Sequence, residues 1–191
     1  MIKRPLTDGE IKLARSVFGD AIDYAAVTIS DGKYMPFQPK GTAMAPNGHL
    51  YMYGCYSPDY SAEKSLSRSH FIHEMTHVWQ YQIKILNPIV EAAALSLKHK
   101  FNYFTAAYAY HLDENMDLMD YGMEQQASIV QEYFMTRREG HTSHTRHCKN
   151  TCHDDEKCRL YEKVLEKFLK DPSYTRRSQF PKVFKGKGPK P

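Results

Sequence analysis

The chain has 191 residues, enough for one domain with a substantial core. Apolar residues make up 41% and charged residues 25%, the balance of an ordinary globular protein, and no apolar run reaches the ~18 residues of a membrane span. The net charge of +4 draws much of its excess from the stretch after Lys170, a distribution that suits a solvated tail better than a nucleic-acid surface. The opening Met1-Ile2-Lys3-Arg4-Pro5-Leu6 lacks the apolar centre of a signal peptide, so export by that route is not expected.

Thr7-Asp8-Gly9-Glu10 is a capping box that opens a helix over residues 8–18, with Ile11, Ala14, Val17 and Phe18 on one face and Gly19 to close it. Residues 26–30 favour a strand stopped by Asp31-Gly32. Residues 42–45 and 49–53 flank Pro46-Asn47-Gly48, a hairpin signal, so a small antiparallel sheet is expected. Such a hairpin is either scaffold or an edge that an extended peptide could join. Residues 55–64, rich in Ser, Pro and Tyr, read as loop.

The central stretch is Phe71-Ile72-His73-Glu74-Met75-Thr76-His77-Val78-Trp79-Gln80, in a helix expected from residue 65 or 66 to about residue 82, half-buried. Residues four apart share one helical face, so His73 and His77 stand side by side at the spacing of two ligands to one Zn²⁺. Glu74, adjacent to them, suits a general base acting on a water. The blander reading is two unrelated histidines and a solvated carboxylate; three fixed identities in helical context weigh against it. Another helix is expected over residues 87–100, then loop over 101–112 and an acidic irregular stretch over 113–120.

A second informative helix runs from Asp120, its expected cap, through Phe134 to a stop at Gly140. A catalytic zinc needs a third protein ligand, and here Glu124 and Glu132 are available. They lie about 80° apart around the helix, so they cannot both face the site equally. Glu124 borders the apolar Met123 and Ala127 and is favoured, whereas Glu132 reads more readily as solvated or ion-paired. His111, Tyr110 and Tyr121 are possible oxyanion donors, each also explicable as structure.

Beyond Gly140 the chain is dense in His141, His144, His147, Cys148, Cys152, His153 and Cys158. Three readings stay open: a structural zinc, disulfides among these cysteines and Cys55, or a polar loop with reduced thiols. A last helix is expected over residues 155–170, stopped by Asp171-Pro172. The organisation expected is one domain over residues 1–170, with residues 140–158 as an insertion or appendage, and a flexible basic tail over 171–191.

The joint pattern Arg4-Pro5-Leu6-Thr7-x-x-Glu10, Asn47-Gly48, Phe71 to Gln80, Tyr108-x-Tyr110, Glu124-Gln125-Gln126-Ala127 and Tyr133-Phe134 resembles one family. It is similar to the Vgr-related and Rhs-associated zinc metallopeptidase-like proteins of bacterial type VI secretion. It also resembles the metallopeptidase domain at the C-terminus of some type VI spike proteins. The resemblance covers residues 4–134. It implies an α+β, zincin-like fold with the sheet packed on a helical core. It further implies Zn²⁺ held by His73, His77 and Glu124, with Glu74 as acid/base. The implied role is an antibacterial effector, made in the cytoplasm and delivered to a target cell's periplasm. There it would hydrolyse an amide in a protein or in a peptidoglycan stem, with a spike protein and an immunity protein as partners. The rival classes are a catalytically silent zinc-binding adaptor of a secretion spike, which would not need Glu74, and a basic nucleic-acid binder, suggested by the tail alone.

Overall fold

A computed structural model describes residues 1–84, 107–140 and 146–174. The helix expected over residues 87–100, the loop over 101–106, His141, His144 and the tail from 175 lie outside the described residues.

Strand β1 (Lys3–Pro5) leads into helix α1 (Asp8–Phe18). The capping box is formed as the sequence requires: the Thr7 hydroxyl accepts from the Glu10 amide, and Glu10 accepts from the Thr7 amide. Glu10 is fully buried, and it also receives two bonds from Arg4 and one from the Tyr60 amide. One carboxylate thereby joins β1, α1 and the turn at Tyr60–Ala62.

Strands β2 (Thr28–Ser30), β3 (Thr42–Met44) and β4 (Leu50–Tyr53) complete a four-stranded sheet of order β1-β2-β4-β3. The β3–β4 hairpin forms, pairing Thr42 with Tyr53 and Met44 with Tyr51. Gly48 in the turn before β4 has φ +81°, and a Cβ there would meet the Tyr81 ring at 2.8 Å, so glycine is required twice over. The sheet is mixed, however, not antiparallel: β2 and β4 pair in parallel, Ile29 beside Leu50. The chain between them is long enough for a crossover, and β3 takes the outer edge.

Helix α2 (Ser65–Gln82) carries the His-Glu-x-x-His stretch. It is not the half-buried helix expected, because every residue from Phe71 to Gln80 is buried. One side meets the sheet core through Phe71, Ile72, Met75 and Val78, and Trp79 packs edge-on against Phe168, 5.2 Å between centroids. The other side packs along α3 (Met123–Arg137). Helix α3 begins at a Gly122 cap, with the Gln125 side chain accepting from the Gly122 amide. Asp120 instead closes the short turn Leu118–Asp120 by accepting from the Asp117 amide.

The last helix is two helices, α4 (Asp154–Val164) and α5 (Glu166–Lys170), meeting at Leu165. After it, the Pro172 carbonyl accepts from Trp79 Nε1 at 2.9 Å and the Tyr174 hydroxyl donates to Asp117. Residues 171–174 thus pack on the domain. No described helix is long and apolar enough to cross a membrane.

Candidate metal centre

Two residues one helical turn apart on α2 and one near the start of α3 converge in the seam between these helices. His73 Nε2 lies 3.4 Å and His77 Nε2 3.3 Å from the same oxygen, Glu124 Oε2. All three side chains are buried, and their ligand atoms lie within 4.8 Å of one another. Glu124 Oε2 has no hydrogen-bond partner although it is shut away from solvent. A buried anionic oxygen facing two ring nitrogens and nothing else is costly unless a cation occupies the space between them. The donor set, two imidazoles and one carboxylate, is one that zinc accepts with a fourth position left over. Among the described residues this is the one such group.

The electrostatics point the same way. Burial alone would lower the pKa of His77, but the Glu124 carboxylate outweighs it and raises the value to about 9. Burial would raise that of Glu124, and the facing histidines instead hold it well below the usual carboxylate range. Both shifts describe one interaction: a positive charge between these groups is favourable, and without metal a proton supplies it.

Around the cluster, His77 Nδ1 sits 2.8 Å from Gln80 Oε1 and His73 Nδ1 sits 3.0 Å from Gln131 Oε1. Tyr108 lies over the His73 ring, 5.9 Å between centroids, and His147 lies 5.3 Å from Tyr108. Burial, and then the charge of His73, lower the pKa of His147 to about 4, so its imidazole is neutral. Glu74 is buried next to the cluster. Its Oε1 is 3.7 Å from His70 Nε2, and its Oε2 has no hydrogen-bond partner. Burial lowers the pKa of His70, so that neighbour is neutral too.

Of the residues singled out from sequence, His73, His77 and Glu124 meet, and Glu74 adjoins them. Glu132 is neither solvated nor ion-paired. It is buried, its Oε2 receives the Tyr110 and Tyr161 hydroxyls at 2.8 and 2.9 Å, and its Oε1 receives the His147 amide at 2.7 Å. Tyr110 is therefore committed to Glu132, the Tyr121 hydroxyl donates to the His111 carbonyl, and the His111 side chain is exposed. The four cysteines are free thiols. Cys148 points its S–H at Asn150 Oδ1, and a one-residue bridge from Tyr110 to Cys148 holds this segment against the domain. Gln131 was not singled out by pattern, and Gln80, Tyr108 and His147, named within the family pattern or the His/Cys-rich segment, were given no place at this cluster. The available signal was a polar residue, Gln80, three places after His77 in a helix buried on all sides.

The fold and the cluster define an α+β domain with a buried histidine–glutamate site able to hold a metal ion. No family model matches the chain. Over 140 residues, 71% of its length, it is 42% identical to the type VI secretion system spike protein VgrG2b of Pseudomonas aeruginosa, and it spans 13% of that protein. The solved effector domain of Pseudomonas aeruginosa VgrG2b aligns with a TM-score of 0.65 at 35% identity, covering 86% of this chain and 81% of that one. The chain belongs to the family of the VgrG2b effector domain.

Proposed function

We propose that this domain is a zinc-dependent metallopeptidase of zincin type, acting as an antibacterial type VI secretion effector on amide bonds in the periplasm of a target cell. The observation that carries it is the convergence of His73, His77 and Glu124 beside a buried carboxylate, Glu74, that has an oxygen to spare. Its relation to the VgrG2b effector domain supports the delivery route and a spike protein as partner.

His73, His77 and Glu124 would hold the ion. When bound, zinc supplies a Lewis acid that acidifies a water and polarises a carbonyl. Glu74 takes a proton from the attacking water and returns it to the leaving nitrogen, the use to which an unpartnered buried carboxylate is suited. His70, neutral and 3.7 Å away, leaves that carboxylate without a fixed counter-charge. Substrate is a protein or the peptide stem of peptidoglycan, and an immunity protein would protect the producing cell.

The test pairs metal content with toxicity. Wild type and Glu74→Ala are purified and analysed for zinc, then directed to the periplasm of a sensitive bacterium. About one zinc in each, with toxicity and peptide hydrolysis in wild type alone, is the expected result. A Glu74→Ala protein as toxic as wild type would overturn the catalytic reading of the site.

A further inference from the structure

Both imidazoles of the cluster are held from behind by a glutamine, and the direction of each amide is forced by what lies beyond it. Gln126 Nε2 donates to the Tyr121 carbonyl at 2.7 Å, so Gln126 Oε1 is the atom turned to Gln80. Gln80 Nε2 donates to that oxygen and to the Met123 carbonyl, each at 3.0 Å. Gln80 Oε1 is thereby left facing His77 Nδ1, and an amide oxygen only accepts. When His77 is neutral, as a metal ligand must be, its one proton sits on Nδ1, which leaves the Nε2 lone pair for an ion in the space before Glu124. On the other imidazole the Ser69 hydroxyl donates to the Leu66 carbonyl at 2.9 Å and accepts from Gln131 Nε2 at 3.4 Å. Gln131 Oε1 then receives His73 Nδ1, with the same outcome.

We propose that Gln80 and Gln131, with Gln126 behind Gln80, are the positioning residues of the metal site. They fix both ligand histidines in the Nδ1–H form and aim both Nε2 atoms at the ion, and they do so with neutral amides. Ligand histidines are commonly oriented by a carboxylate, which also makes the imidazole more basic. Here Glu124 is the one negative charge among the ligands and their hydrogen-bonded supports, which leaves the bound ion more electrophilic. Gln80 has a second task, since its bond to the Met123 carbonyl ties His77 to the turn that carries Glu124. This inference rests on the cluster holding metal, not on peptidase activity.

Gln131 offers the clean test because it is only half-buried and its other bond is long. Zinc affinity is measured by competition with a chromophoric chelator on wild type, Gln131→Met and Gln131→Glu, with circular dichroism confirming that each is folded. Losing the acceptor in Gln131→Met should weaken zinc by roughly tenfold or more, and Gln131→Glu should restore or exceed wild-type affinity. Nitrogen-15 spectra of the zinc-loaded proteins should place the His73 proton on Nδ1 in wild type and Gln131→Glu. A wild type that takes up no zinc overturns the metal reading itself. A wild type that binds zinc while Gln131→Met stays within twofold of it, or while both variants weaken binding alike, overturns the positioning role alone.

Discussion

The backbone N–H of His147 donates to Glu132 Oε1 at 2.7 Å, so the second glutamate of α3 anchors the histidine- and cysteine-rich segment to the domain. The two glutamates of α3 therefore have separable duties. Glu124→Ala should lose zinc on dialysis, because it removes a ligand, and in the metal-free protein it also removes the charge that faces His77. In Glu132→Ala the Tyr110 and Tyr161 hydroxyls, 2.7 Å apart, still bond each other, but one hydroxyl proton and the His147 amide lose their acceptor; at about 1–3 kcal/mol for each buried polar group left unpaired, a loss on the order of 2–4 kcal/mol is expected. Metal content and urea denaturation of the two variants decide this. Zinc lost only from Glu132→Ala would reverse the assignment.

A second prediction concerns Glu10. Its carboxylate accepts both Arg4 amino groups, each at 2.8 Å, and the Thr7 and Tyr60 amides. The Glu10 side chain is fully enclosed, and that of Arg4 is 18% exposed. Removing one partner of a buried ion pair typically costs about 3–5 kcal/mol, so Glu10→Ala should lower the denaturation midpoint sharply. Because none of its bonded partners is a ligand of the cluster, zinc stoichiometry of the surviving folded protein should not change. A variant within about 1 kcal/mol of wild type would show that the pair is replaceable.

Thiol reactivity tests the cysteine-rich segment. Burial raises the pKa of Cys55, Cys148 and Cys158, which keeps them protonated and slow to alkylate near neutral pH. Cys148, the buried one of the four, should be modified last. Peptide mapping after brief iodoacetamide treatment reads the order, and unfolded protein should yield four thiols. Fast modification of Cys148 would mean that the segment opens from the Tyr110 bridge.

Much of this site was legible because its signals are local. The Thr7–Glu10 box and the Asn47-Gly48 turn depend on nearest neighbours, and the His73–His77 spacing depends only on helical pitch. What was not legible depends on distant partners. Sequence periodicity reports apolar faces, but α2 is buried beyond its apolar face: its polar Gln80 is enclosed because the Met123 carbonyl, 43 residues on, receives it. Glu132 was misread for the same reason, since its tyrosine partners lie 22 and 29 residues away. The parallel pairing of β2 with β4 likewise follows from the crossover, not from the residues of either strand.

Removing the metal should change the sign of the pH response. In the metal-free protein the folded-state pKa of His77 is about 9, above its ordinary value of 6.5, because Glu124 faces it. The stabilisation is therefore fully present below pH 6.5 and is lost as pH rises through about 9. Chelator-treated protein should then become less stable between those limits. Zinc-loaded protein should do the reverse at the acid end. The ion takes the place of the Nε2 proton, so protons compete with it and loading improves as the histidines deprotonate. Denaturation midpoints of both forms at several pH values between 6 and 9.5 give the comparison. Parallel curves for chelated and zinc-loaded protein would mean that His77 and Glu124 do not share the ion between them.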